Sequence, residues 1–283
     1  MTGGGPDLSV LVVNYRTGEH LRRCLDSLEA RRGPIAVETI VVDNDSGDGS
    51  EAAARGRTGV TLVVNPRNVL LSPAWNQAAR LARAPWLLFL NPDTEIVRGT
   101  LADLVALGRA APRAGIVGPM LRNADGTVYP SGRPFPRIRE AVGHAVLGSV
   151  RPGNRFTRRY HLADWDRTTP REVDWVSGAC MLMPRAAYDA VGGFDESFAL
   201  YAEELDVATR LRDAGWTVRF EPSVEVLHIG AVSTGRSRRT LRMHSASVFR
   251  YYRKHRARGW RRLTLPLAWA FLRLRAEVEG WRT

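Results

Sequence analysis

A chain of 283 residues with 44% hydrophobic and 25% charged side chains can bury a sizeable core, which excludes overall disorder, a collagen-like repeat and a disulfide-dense scaffold. Its two cysteines, Cys24 and Cys180, exclude a disulfide framework and a structural zinc site, and read as buried or incidental thiols in a reducing compartment. The formal charge of +12 sits in one place: residues 236–283 carry thirteen arginines and Lys254 against Glu277 and Glu279, while residues 1–235 balance at 27 of each sign.

The first half alternates strand and helix signals. Leu8–Val13 is a continuous β-branched and apolar run, expected as a buried strand. Glu19–Ala30 follows with Leu21, Cys24, Leu25 and Leu28 at helical spacing. Val37–Val42 is a second strand, ending in the turn-rich Asp43–Ser50, and a short helical stretch covers Ser50–Arg55. Then come a strand at Val60–Val64, a helix at Pro73–Arg83, a strand at Trp86–Leu90, a helix at Thr100–Ala111 and a strand at Ala114–Pro119. From Leu121 to Pro170 proline, glycine and arginine are frequent, and a short helix is expected at Arg137–Leu147. Val173–Pro184 looks strand-like, Ala186–Val191 and Glu203–Ala214 look helical, and Thr217–Phe220 and Val224–His228 are short strands. The basic tail reads as mostly helical. Strands and helices that alternate over short connections imply right-handed crossovers and a mainly parallel, twisted α/β sheet of Rossmann-like type.

In open sheets of this kind ligands bind at the carboxyl ends of the strands. Here four consecutive strands end in polar groups: Asn14 with Tyr15, Asp43, Asn65, and Asn91 with Asp93. Asp93, in the turn Asn91-Pro92-Asp93 after a buried strand, suits a hard divalent cation shared with substrate phosphates. Asp43 can accept a hydrogen bond from a base or ribose. Glu203, Glu204 and Asp206 crowd the start of a helix, where neighbouring carboxylates raise one another's pKa and can yield a general base. A metal role for His228 requires Asp93 nearby in space.

Six motifs occur in order: VVNYRTG, VVDNDSGDGS, FLNPDTE, WVSGACMLMPR, GGFDESFALYAEELDVATRLRDAGW and LHIGAVST. Together they resemble glycosyltransferase family 2, and within it the bacterial rhamnosyltransferase-like branch, over residues 8–235. The resemblance implies a GT-A fold, a pyrimidine nucleotide-sugar donor (dTDP- or UDP-linked), Mg²⁺ or Mn²⁺, and inversion at the anomeric carbon. Position by position it puts Tyr15 and Asp43 at the pyrimidine and ribose, and Asn76 near the donor ribose and phosphates. Asn91 and Asp93 become the first and last members of the metal-binding acidic motif. Trp175, Ser177 and Gly178 fall on the acceptor side, and His228 at the metal or diphosphate. Glu204 becomes the catalytic base, with Glu203 supporting it. Two departures stand out. Leu70 and Ala74 occupy positions where the family has glycines, and Glu203-Glu204 replaces a Glu-Asp pair.

The expected organisation is one glycosyltransferase domain, 1–235, with a nucleotide-sugar half (8–119) and an acceptor and catalytic half (120–235). A basic helical extension, 236–283, follows it. The extension suits an anionic membrane surface, where a lipid-linked saccharide acceptor is found; a soluble acceptor is the alternative. Nucleic-acid binding by the tail is the remaining reading, and the balanced body with its full set of acids argues against it. With no signal-peptide order at Met1–Pro6 and no apolar run near ~20 residues, the protein is expected in the cytoplasm, peripheral on the inner face of the membrane.

Overall fold

The computed structural model describes residues 4–136, 151, 153–162, 164–198, 200–230 and 237–280. Strand β1 (Leu8–Asn14) is buried along its whole length. It lies between β2 (Val37–Asp43) and β4 (Trp86–Leu90), parallel to both, and β3 (Val60–Val64) pairs parallel with β2. Such strands are apolar on both faces because each face is covered. Alternate residues of β4 go to opposite layers: Leu87 and Phe89 pack with Trp75 and Phe194, Leu88 and Leu90 with Leu25 and Leu104. Helix α1 (Glu19–Ala30) contributes Leu21, Cys24, Leu25 and Leu28 to one layer, and α2 (Leu71–Leu81) contributes Ala74, Trp75 and Ala78 to the other. Helix α3 (Leu101–Ala110) starts at a Thr100–Asp103 capping box.

The parallel expectation holds for these N-terminal strands, and beyond β4 the sheet becomes mixed. Its order is β3-β2-β1-β4-β9-β6-β10-β5. Strand β9 (Cys180–Pro184) runs antiparallel to both β4 and β6 (Ala114–Arg122). It arrives after a long excursion and not through a βαβ crossover, so no parallel partner is imposed on it. The expected single segment Val173–Pro184 is divided: β8 (Arg171–Val173) pairs with β10, and a loop holding Trp175–Ala179 separates it from β9. The two short strands expected at 217–228 form one strand, β10 (Thr217–His228), whose register shifts between Glu221 and Glu225 around Pro222. Strand β5 (Thr94–Arg98), antiparallel to β10, carries too few apolar residues to stand out in the sequence. A two-residue strand, β7 (Val128–Tyr129), pairs with β6. Helices α4 (Arg155–His161), α5 (Arg185–Ala190) and α6 (Glu203–Asp213) complete the body. The helix expected at Arg137–Leu147 lies outside the described residues.

The tail forms α7 (Arg238–Tyr251), a π-turn (Tyr252–Arg256), a 3-10 segment (Gly259–Thr264) and α8 (Leu265–Gly280). Its first part is anchored in the body. Tyr251 is buried with its hydroxyl 3.1 Å from Thr209 Oγ1, and the Ser247 hydroxyl donates to the Leu200 carbonyl at 2.7 Å. The His255 Nε2–Asp206 contact is 2.6 Å, and Lys254 Nζ reaches Asp195 at 2.6 Å and Asp206 at 2.7 Å. Part of the tail's positive charge therefore neutralises acids of the body.

Candidate active site

The parallel strands β3, β2, β1 and β4 end side by side. Buried Asn14 is their hinge: its Nδ2 donates to Asp43 Oδ1 at 2.6 Å and to Ser50 Oγ at 2.7 Å, and its Oδ1 accepts from Thr17. Asp43 also accepts from the Ser46 hydroxyl at 2.6 Å and the Ser46 N–H at 3.1 Å. These contacts tie its carboxylate to the loop, and Tyr15 and Asn44 stand on the wall of the adjacent cavity. Asp43, expected from the sequence at the base or ribose, fixes this loop.

That cavity, of about 740 Å³, runs from the strand ends to α6 and α7. At one corner stand Asn91, Asp93 and His228. His228 Nε2 lies 3.5 Å from both Asp93 Oδ1 and Asn91 Nδ2. The Gly230 N–H donates to Asp93 Oδ2 at 3.0 Å. Burial pushes the Asp93 carboxyl up, but the hydrogen bond and charge of His228, with backbone N–H groups, hold it below the usual carboxylate range. The juxtaposition that a metal role for His228 requires is present. No group of three His, Cys, Asp or Glu side chains converges among the described residues. This corner therefore fits a divalent cation that completes its shell from a diphosphate and water, not a protein-only cage.

The same cavity is lined by Glu203 and Glu204 of α6. Two consecutive left-handed residues, Tyr201 (φ +67°) and Ala202 (φ +64°), turn the chain so that the helix opens with both acids on the cavity. Glu203 Oε2 and Glu204 Oε2 are buried and find no partner among the described residues. Burial, then the charge of Glu204, raises Glu203 well above the usual range. Burial also raises Glu204, against the opposing field of Arg133. The two carboxyls titrate as one pair, and both are held above the usual carboxylate range. Gly178 sits between this pair and α2; a Cβ there would lie 3.8 Å from the Glu204 Cβ and 3.6 Å from Trp75.

Ser177 and Gly178 line the cavity, whereas Trp175 is behind it. The Trp175 Nε1–H donates to the Pro134 carbonyl at 2.9 Å, and Arg133 stacks over its ring at 5.1 Å, which steadies the loop. Asn76 is also displaced from its expected role. Its Oδ1 accepts from the Tyr188 hydroxyl at 2.7 Å and the Phe194 N–H at 3.0 Å, and its Nδ2 donates to Phe194 O and Glu196. These bonds join α2 to α5 and to the segment after it. Leu70 has φ +72° and ψ −179°, a backbone geometry that is essentially glycine's. Its N–H donates to Asn68 Oδ1 at 2.8 Å and its carbonyl accepts from Asn44 Nδ2 at 3.1 Å. The glycine-type turn survives although leucine occupies it, and leucine lines the cavity. Sequence reading missed Tyr129, Tyr201 and the tail residues Arg239, Thr240 and Met243 on the wall. Nothing local in the sequence marks them, because α7 reaches the cavity only after folding back along α6.

The family model for glycosyl transferase family 2 matches residues 9–192. An N-acetylglucosaminyl-diphospho-decaprenol L-rhamnosyltransferase of Mycobacterium tuberculosis H37Rv is 37% identical over 278 residues, covering 93% of this chain and 88% of its own. Rhamnosyltransferase WbbL of Escherichia coli K12 is 26% identical over 180 residues, covering 62% of this chain and 65% of its own. Among solved structures, GalNAc-T7 with UDP, GalNAc and Mn²⁺ superposes with a TM-score of 0.66 at 16% identity, over 98% of this chain and 55% of that one. A mannosyltransferase of Pyrobaculum calidifontis with GDP-Man and Mn²⁺ gives 0.62 at 19% identity, over 98% of this chain and 74% of that one. The sheet is that of the GT-A glycosyltransferases. With the family match running from the first strand through the Asn91-Pro92-Asp93 turn to the end of α5, and a relative alike over nearly the whole chain, this chain belongs to glycosyl transferase family 2 as a rhamnosyltransferase-like glycosyltransferase.

Proposed function

We propose that this enzyme transfers rhamnose, with inversion, from a dTDP- or UDP-linked donor to a hydroxyl of a lipid-linked saccharide at the inner face of the cell membrane. The observation that carries the reading is that one cavity is lined both by Glu203 and Glu204 of α6, each with a buried Oε2 that finds no partner among the described residues, and by the Asp93–His228 corner. The M. tuberculosis relative, an N-acetylglucosaminyl-diphospho-decaprenol L-rhamnosyltransferase, supports the sugar and the acceptor class. Tyr15 offers the base a ring to stack on, and Leu70 shapes the sugar pocket. Ser177 and Gly178 border the acceptor.

Glu204, as carboxylate, accepts the proton of the acceptor hydroxyl while that oxygen attacks the anomeric carbon from the face opposite the diphosphate. Glu203 supports it from the neighbouring position on the same cavity. The bond from the anomeric carbon to the diphosphate oxygen breaks, and the nucleoside diphosphate leaves with the electron pair. Asp93 and His228, with Asn91 beside them, would hold Mg²⁺ or Mn²⁺, which neutralises charge on that leaving group. The single displacement requires no protein nucleophile, and burial pushes the Cys24 thiol up to about 12.

The test is transfer from dTDP-rhamnose and UDP-rhamnose to a polyprenyl-diphosphate-linked N-acetylglucosamine with Mg²⁺ or Mn²⁺. Product is expected with wild type and not with Asp93→Ala, which should also lose metal-dependent nucleotide binding while keeping its fold. Undiminished transfer in EDTA would remove the metal from the scheme. Transfer to a water-soluble acceptor alone would move the enzyme to that class.

A further inference from the structure

Five of the large apolar side chains that the described residues leave exposed lie within twenty positions of the tail: Trp260 (73%), Leu263 (81%), Leu267 (74%), Leu274 (66%) and Val278 (46%). At 3.6 residues per turn, Leu267, Leu274 and Val278 fall within about 40° of one another on α8, and Leu263 and Trp260 extend their line through the 3-10 segment. The opposite side of α8 is already occupied: Ala276 is buried, and Trp269 packs on Phe249 of α7 with ring centroids 4.9 Å apart. The stripe therefore points away from the protein.

Arginines rim it. Arg258, Arg261, Arg262 and Arg273 are exposed, and the first three have no acidic partner among the described residues. The stripe also ends beside the cavity. Glu277 of α8 accepts from Arg242 Nε at 2.8 Å and Nη2 at 3.0 Å, and Arg242 lies on the same stretch of α7 as Arg239, Thr240 and Met243 of the cavity wall.

We propose that the outer face of α8 and the preceding 3-10 segment is a docking surface for an anionic lipid bilayer, which lies in the interface and brings the cavity wall formed by α7 to the membrane. The proposal rests on the lipid-linked acceptor proposed above and names the surface that meets its membrane. Three features select a bilayer. The apolar residues include Trp and Leu at the depth where an interfacial helix buries its face, and the flanking arginines match anionic headgroups. A helix of 16 residues is about 24 Å long, too short to cross ~30 Å of hydrocarbon, and no described helix is long and apolar enough to do so. Two copies meeting through this stripe would bring their arginine rims together, which disfavours self-association.

The full chain is mixed with phosphatidylcholine vesicles or vesicles also containing phosphatidylglycerol, and sedimented at several salt concentrations. Binding is expected to the anionic vesicles and to fall as salt rises. The variant Leu263→Glu/Leu267→Glu/Leu274→Glu changes exposed positions only and is expected to keep the wild-type melting temperature. It should bind anionic vesicles about tenfold or more weakly, since three leucines that would enter the bilayer become charges. Unchanged binding by the variant, or equal and salt-independent binding to neutral vesicles, overturns the proposal. So does a wild-type dimer that the variant converts to monomer with no vesicle binding in either. Vesicle binding that fails in the variant while wild type shows no transfer supports the surface and refutes the proposed reaction instead.

Discussion

Three acids open one helix turn, and the fold treats them in opposite ways. Asp206 is 1% exposed and surrounded by nitrogen groups: Arg210 Nε at 2.7 Å, Lys254 Nζ at 2.7 Å and His255 Nε2 at 2.6 Å. Burial pushes its carboxyl up, but these partners outweigh burial and hold it below the usual range. Glu203 and Glu204, three and two residues earlier, are pushed the other way by burial, Glu204 against the field of Arg133. An unpaired buried charge is expensive, so a fold keeps one only where something else supplies the compensation. The paired acid holds the tail to the body; the unpaired ones face the cavity.

The comparison is broken or sharpened most strongly at Glu204. Glu204→Gln should lower kcat by about 10²–10⁴-fold, the usual contribution of a positioned base, and leave nucleotide affinity unchanged in calorimetry. If Glu203→Gln is the dead variant and Glu204→Gln is active, the two roles are exchanged. Next comes Asp206. Asp206→Ala leaves Arg210, Lys254 and His255 without their shared carboxylate, and should cost about 3–5 kcal/mol in urea unfolding with far less effect on nucleotide binding. A loss below 1 kcal/mol would make Asp206 another solvated surface acid.

The pH dependence of stability should separate the two kinds of acid by sign. The native pKa of Asp206 is lowered, so its contribution is present above the unfolded value of about 4 and is lost as pH falls through the native value. The native pKa values of the glutamate pair are raised, so its contribution is present below the unfolded value of about 4 and is lost as pH rises through the native values. Melting temperatures across pH should show Asp206→Ala flattening the acid limb and Glu203→Gln flattening the alkaline one. Identical limbs in both variants would erase the distinction. The smallest effect is expected at Leu70, where the backbone and not a charge is out of its ordinary state. Leu70→Gly should relieve strain and raise stability by about 1 kcal/mol in denaturant melts, while weakening discrimination among donor sugars.

What the sequence makes legible follows from range. Strands β1 to β4, with α1 and α3, announce themselves because each is set by its own apolar period, and their common order places Asn14, Asp43, Asn65 and Asn91 at one edge. Asp93 and His228 are legible as candidates, and their meeting depends on β10 returning to β5 beside the Asn91-Pro92-Asp93 turn. Asp43 and Asn76 look like ligand contacts in one dimension; their partners, Ser46 with Asn14 and Tyr188 with Phe194, are what turn them into structural groups. Strand β5 hides because Thr94–Arg98 has two apolar residues in five. The tail's share of the cavity hides because no local pattern tells which face of α7 meets the body.

The place of β9 has a consequence in time. It fills the gap between β4 and β6, yet Cys180 follows Leu90, its partner in the ladder, by 90 residues. At roughly 5–20 residues per second on the ribosome, the Trp86–Leu90 edge waits on the order of 5–20 s for its neighbour. During that wait WLLFL, paired with β1 on one side only, presents an open, uncharged edge of the kind that recruits other chains. A nascent chain stalled after Arg122 is therefore expected to aggregate or to sit on a chaperone, and one stalled after the β9–α5 region has emerged to be released from it. Ribosome-bound chains of the two lengths, compared by protease protection, would reveal whether synthesis passes through this exposed interval.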